Sequence, residues 1–91
     1  MNKSEAITLV KSELENSNNF IDCIILKDET IEKYWGWVFF YQSKTYLKSK
    51  DFRDMLVGNA PIIVDKNSGQ LTYTGTEHDI QYYINEYESS I

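Results

Sequence analysis

The sequence predicts an α+β domain in the order α-β-β-β-β-α: a four-stranded, mostly antiparallel sheet with an N-terminal and a C-terminal helix packed on one face. Three observations carry this. Apolar residues recur at helical spacing near the two ends, at Ile7, Val10 and Leu14 and again at Ile80, Ile84 and Tyr87. The middle holds short β-branched and aromatic runs, Trp35 to Tyr41 and Ile62 to Val64, and an alternating one, Leu71 to Thr74. Gly, Asn and Asp punctuate these runs where tight turns need them.

Length and composition set the frame. Ninety-one residues make one domain, residues 1–91, and a domain of this size buries roughly two-thirds of its unfolded surface. A hydrophobic fraction of 42% with 14% aromatics supplies one core and argues against disorder. No apolar run approaches the ~18 residues that span a bilayer. The start, Met-Asn-Lys-Ser-Glu-Ala, lacks the apolar core of a signal peptide, which argues against export by that route. Cys23 is the one cysteine, so no internal disulfide forms, and a reducing cytoplasm fits. A net charge of -5 disfavours nucleic acid and anionic membrane as partners and permits a basic one.

The first helix runs from Ser4 to about Glu15. Asn2 with Glu5 has capping-box spacing, and Ser4 is a rival cap. Lys3, Glu5, Glu13 and Glu15 form a solvated face, and Asn16 to Asn19 end the helix. Phe20 to about Lys27 is the first strand, with Ile21, Cys23 and Ile25 on one side and Phe20, Asp22, Ile24 and Leu26 on the other. A polar connection through Asp28, Glu29, Glu32 and Lys33 follows, or a hairpin whose strands continue past Lys27.

The second strand, Tyr34 to Gln42, is the densest apolar segment. Period-2 spacing sets Trp35, Trp37, Phe39 and Tyr41 on one face and Tyr34, Gly36, Val38 and Phe40 on the other. Both faces are apolar, which suits a central strand. Two helices on one face would leave the other showing aromatics to water or to a partner, so Trp35, Trp37 and Tyr41 are candidates for partner binding as well as for core. Ser43 to Leu56 is mixed, with one helical turn expected over Phe52 to Leu56 and Asp51 as its cap. Lys44, Lys48, Lys50 and Arg53 make it the one basic neighbourhood, too small and too mixed with Asp51 and Asp54 for a nucleic-acid patch.

Val57 to Thr76 organises the rest. Gly58 and Asn59 tolerate positive φ, and Pro61 sets the start of the third strand, Ile62 to Val64. Asp65 to Gly69 is a hairpin loop. Leu71 to Thr74 has one apolar face and so belongs at an edge. The closing helix runs from Thr76 to about Glu88, with Thr76 as cap, Asp79 as a weaker capping-box acid, and Ile80, Ile84, Tyr87 and Ile91 as its buried stripe. From Asn67 to the end there are four acids and no Lys or Arg. Asp79, Tyr82, Tyr83 and Glu86 therefore make an acidic, tyrosine-bearing surface, either a solvated face or a docking surface for a basic partner.

Catalytic patterns are weak. Cys23, His78 and Asp79 supply the types for a thiol nucleophile and base, but a strand cysteine and a first-turn histidine have no reason to meet. Asp65-Lys-Asn-Ser-Gly has the look of a calcium loop, yet Gln70 stands at its sixth position and Thr76 at its twelfth. No phosphate loop, CxxC or HExxH occurs. Neither enzyme chemistry, a metal nor a cofactor is expected.

Three segments carry a family resemblance: Gly36-Trp37-Val38-Phe39-Phe40-Tyr41-Gln42-Ser43; Leu56-Val57-Gly58-Asn59-Ala60-Pro61-Ile62-Ile63-Val64-Asp65-Lys66 with Gly69; and Thr74-Gly75-Thr76. Together they resemble immunity protein 35, the YrhB-like family, and the likeness runs from the first helix to Tyr83-Ile84-Asn85-Glu86-Tyr87. The chain departs at His78-Asp79-Ile80, where a proline-bearing helix start such as Tyr-Pro-Ile is the family expectation. The resemblance implies a small bacterial protein of a polymorphic toxin system that neutralises a cognate toxin by binding it, with peptidase-like and other toxins among the targets. It also implies that Gly36, Trp37, Gly58, Asn59, Pro61, Asp65, Gly69, Gly75 and Thr76 define the fold rather than the binding site. The alternative is a stand-alone, chaperone-like stress protein that binds unfolded clients. One saturable partner favours immunity; suppressed aggregation of unrelated clients favours chaperoning.

Overall fold

Helix α1 spans Lys3–Ser17 and begins as its sequence dictates. The Asn2 carboxamide oxygen accepts from the Glu5 amide at 2.8 Å, and the Glu5 carboxylate accepts from the Asn2 amide at 3.0 Å. This reciprocal capping box settles the rivalry with Ser4. The computed structural model describes residues 1–17, 23–51 and 60–91. Gly58, Asn59, the Phe20 to Asp22 portion of the first expected strand and the expected turn over Phe52 to Leu56 lie outside the described residues.

Among the described residues six strands and two further helices follow: β1 (Cys23–Ile25), β2 (Ile31–Lys33), β3 (Gly36–Phe39), β4 (Tyr41–Ser43), α2 (Lys44–Ser49), β5 (Ile62–Asp65), β6 (Leu71–Tyr73) and α3 (Ile80–Ser90). A short 3-10 turn over Lys27–Glu29 separates β1 from β2. The main sheet is antiparallel in the order β2-β3-β5-β6, and β1 pairs with β4 in a separate two-stranded ribbon. The α+β class with a helix at each end is as expected, and β6 takes the edge that its single apolar face implies.

The long aromatic segment breaks at Phe40. Gly36 to Phe39 pair with β5, and Tyr41 to Ser43 cross to pair with β1. Ser43 then caps α2, its hydroxyl accepting from the Tyr46 amide at 3.3 Å, and Lys50 closes that helix in the left-handed region at φ 58°. Six residues are too few to show a helical period, so Ser43 was the only sequence signal for α2.

The two long helices lie on opposite faces of the main sheet, not on one. Ala6, Val10 and Leu14 of α1 pack with Trp37, Phe39, Ile62 and Val64. Ile84 of α3, with Ile80 and Tyr87, packs with Trp35, Val38 and Ile63. β3 and β5 are apolar on both faces, and each face needs a cover to remove that surface from water.

Trp35 also changes sides. Lys33 pairs with Gly36, which makes Tyr34 and Trp35 the two-residue turn of the β2–β3 hairpin. Period-2 alternation ends at the turn, so Trp35 joins the α3 core while Trp37 stays with α1. Gly36 is required by close approach: a Cβ there would lie 1.9 Å from the Val64 carbonyl oxygen.

Helix α3 starts at Ile80, later than Thr76, and Asp79 is its cap, accepting from the Tyr82 amide at 3.1 Å. Thr76 to Asp79 precede the helix. Where the resemblance leads to a proline-bearing helix start, this chain opens α3 with the Asp79 side-chain cap instead. Ile91 is exposed rather than part of the buried stripe, because α3 ends before it. Asp79→Ala is expected to cost about 1 kcal/mol, read as a lower urea midpoint with an unchanged m value.

The β5–β6 turn is built by Asp65. Its carboxylate accepts from the amides of Asn67 at 2.8 Å and Ser68 at 2.9 Å, and Gly69 adopts φ 74° to bring the chain back. The Met1 amino group donates to the Lys66 carbonyl at 2.9 Å, tying the N-terminus to this turn.

Candidate functional site

The three strand aromatics offered as partner anchors are core residues. Trp35, Trp37 and Tyr41 are only 3%, 5% and 8% exposed. The Trp35 ring stacks on Tyr87 at 4.6 Å, and its indole N–H donates to the Glu88 carboxylate at 2.9 Å. Trp37 lies against Phe39 with the Lys66 ammonium 5.8 Å from its ring centre. Iodide is expected to quench native tryptophan emission weakly, with quenching rising on unfolding.

The residues of the closing helix fare differently. Tyr82 is 43% exposed, Glu86 and Asp79 are exposed, and Tyr83 is half-buried. His78 stacks on Tyr82 at 4.0 Å, and the Tyr82 and Tyr83 rings meet edge to face at 5.2 Å. Gly75 makes room for this cluster, since a Cβ at that position would come within 2.5 Å of the Tyr83 hydroxyl.

Between α3 and β6 runs a groove of about 270 Å³, floored by Ile63 and walled by Thr72, Tyr73, Tyr83, Glu86 and Tyr87. Tyr73 borders the groove at the sheet edge, but its side chain, 53% exposed, lies on the α1 face and donates its hydroxyl to Glu13 of α1 at 2.6 Å. Thr74 fixes the end of β6 by donating its hydroxyl to the Pro61 carbonyl at 2.6 Å. Sequence reasoning found Tyr83 and Glu86 and missed Tyr73 and Thr72. The signal for Thr72 was the alternation of β6, which turns it toward the α3 side while Leu71 and Tyr73 face α1.

At the base of the groove the Tyr87 hydroxyl donates to the Asp65 carboxylate at 3.0 Å. Burial, and then this hydrogen bond, pushes the Tyr87 hydroxyl up to about 12. Backbone donation from Ser68, followed by Tyr87 and Asn67, holds the Asp65 carboxyl below its ordinary 3.8. The two signs differ. The Asp65 contribution is present above its unfolded value and lost as pH falls through its folded one. The Tyr87 contribution is present below pH 10 and lost as pH rises toward about 12. Tyr87→Phe is expected to cost about 1–2 kcal/mol and to remove the highest step from an ultraviolet titration of tyrosine ionisation.

Cys23 and His78 do not meet: Cys23 packs against the α1 core, whereas His78 stacks on Tyr82 beside α3. Among the described residues no group of three or more His, Cys, Asp and Glu side chains could hold a metal ion. No helix among them is long and apolar enough to cross a membrane.

A family model described as immunity protein 35 matches residues 4–82, most of the chain. The chain belongs to the immunity protein 35 family. The match takes in most of α1, both sheets and the first residues of α3, and its range includes Gly36, Trp37, Pro61, Asp65, Gly69, Gly75 and Thr76. The chain is also similar to "Uncharacterized protein YrhB" of Escherichia coli (strain K12), at 38% identity over 53 residues, 58% of this chain and 56% of that protein. It thus spans little more than half the length of that relative. No solved structure matches. In this immunity protein 35 family member four of these residues do structural work: Gly36 admits the Val64 carbonyl, Asp65 and Gly69 make the turn, and Gly75 admits Tyr83.

Proposed function

We propose that this chain is a cytoplasmic immunity protein, which neutralises a cognate toxin of a bacterial polymorphic toxin system by direct one-to-one binding. The family match over residues 4–82 carries the reading. The structure adds support in kind: Trp35, Trp37, Phe39 and Tyr41 are packed in the core, and the α3 face keeps a polar-aromatic surface at Tyr82, Tyr83 and Glu86. Occlusion is the mechanism, with tyrosines seated on the toxin and carboxylates steering a basic surface toward them. Its role is that of an inhibitor and not an enzyme.

The chaperone-like alternative drew on an uncovered face of strand aromatics. With α1 over one face and α3 over the other, that surface is covered, which removes Trp35, Trp37 and Tyr41 from client binding and from toxin binding alike. Co-expression with the toxin encoded beside this protein tests the proposal. Cells are expected to survive, and the two chains to elute together at equal stoichiometry. Death regardless of this protein, or equal suppression of aggregation of unrelated clients, would overturn it.

A further inference from the structure

Among the described residues the α3–β6 groove has one charged side chain in its wall, the exposed Glu86, and it has no protein partner there. Other carboxylates nearby are engaged: Glu88 accepts from Trp35, Asp65 from Tyr87 and two turn amides, and Asp79 caps α3. Glu86 has no hydrogen-bond or ion-pair partner among the described residues, and neither does the Tyr83 hydroxyl. Both line the groove, with Tyr87 as a further aromatic wall, Thr72 on the β6 side and Ile63 beneath. A volume of about 270 Å³ falls just below the range of small-molecule pockets and suits one long side chain.

The chemistry of such a slot is selective. Tyrosine faces attract a cation, and a carboxylate at the rim fixes it by a charge-assisted hydrogen bond. A guanidinium does both at once, because its plane stacks on a ring while its fork meets a carboxylate edge on. No basic side chain among the described residues lines the groove, and the sequence from Asn67 to Ile91 holds four acids and no Lys or Arg. An anionic or purely apolar segment would leave Glu86 facing a like charge or stripped of water without a partner. We infer that the groove between α3 and β6 is a docking site for an arginine side chain presented by a protein partner, with Glu86 as its counter-charge and Tyr83 and Tyr87 as its aromatic walls. This inference rests on the toxin-binding reading for the identity of the partner, but not for the chemistry of the slot.

The test uses the full chain, isotopically labelled, and two synthetic peptides of alternating valine and arginine or valine and citrulline, the neutral isostere. The arginine peptide is expected to shift the amide resonances of Thr72 to Thr74 and Tyr83 to Ser90, and to weaken as salt rises. The citrulline peptide is expected to leave them in place. Glu86→Gln should lower the affinity by about tenfold or more. Glu15→Gln, which removes the same charge from α1 on the other face, should change it less than about twofold. Shifts confined to another surface, equal binding of both peptides, or equal effects of the two variants would overturn the inference. Toxin neutralisation is scored separately. Protection that survives Glu86→Gln with an unchanged toxin affinity removes the groove and keeps the immunity reading. Peptide binding at the groove without any toxin complex does the reverse.

Discussion

Gly36→Ala is expected to lower stability by about 3–5 kcal/mol. The added Cβ would lie 1.9 Å from the Val64 oxygen, 3.0 Å from the Val64 carbonyl carbon and 3.1 Å from the Lys66 nitrogen. All three are backbone atoms of β5 or of the turn after it, so no side chain can swing aside. Relief requires β3 and β5 to part at the point where Gly36 faces Asp65 and the Lys66 amide donates to the Trp35 carbonyl at 2.8 Å. Those two strands sit at the centre of the main sheet. For a domain of this size each kcal/mol moves the melting temperature by roughly 4–8 °C, so a drop of at least about 12 °C is expected in a thermal melt. A variant melting within a few degrees of the parent would mean that the hairpin can open without loss, and the close approach would carry no weight.

Trp37→Ala comes next, and it works through volume rather than collision. The side chain is 5% exposed, pairs across to Val64, and fills the layer between the sheet and α1 with Val10, Leu14 and Phe39. Truncation removes the transfer free energy of the indole and leaves a cavity that a sheet-helix interface can close only in part. About 3–5 kcal/mol is expected. The loss should appear as a lower denaturant midpoint, with weaker hydrogen-exchange protection in α1 than in α3, since α3 rests on the other core. A near-native melting temperature would move Trp37 from the core to the surface. Trp37→Phe, which keeps most of the volume, should recover more than half of the loss.

These two positions also show what could be read without coordinates. Gly36 and Trp37 stand out in the sequence as part of a signature, but their reasons differ, and only the register explains why one must be small and its neighbour large. At α1 the sequence was sufficient, because a capping box acts within four residues and Asn2 and Glu5 need nothing from the rest of the chain. At α3 it was not. Thr76 and Asp79 are both good caps, and the contacts of Gly75 with Tyr83 and of Ile80 with the core fix the helix start at the second of them. The candidate site divides the same way. Tyr82, Tyr83 and Glu86 were legible from an acidic, tyrosine-bearing helix, while Tyr73 and Thr72 came from a strand sixty residues distant from its other contact at Glu13.

By itself the sequence determined the α+β class, the edge position of β6, the cap of α1, the Asp65 turn and, through a signature spread over three segments, the family. Each of these is local, or is a pattern along the chain. The tertiary structure alone decided that α1 and α3 cover opposite faces, that Trp35 crosses to the α3 side, that the aromatic strand divides between two sheets at Phe40, and that a groove opens beside Glu86. Those outcomes depend on which distant surfaces remain to be buried once the others have met, and burial is a property of the assembled chain rather than of any stretch within it.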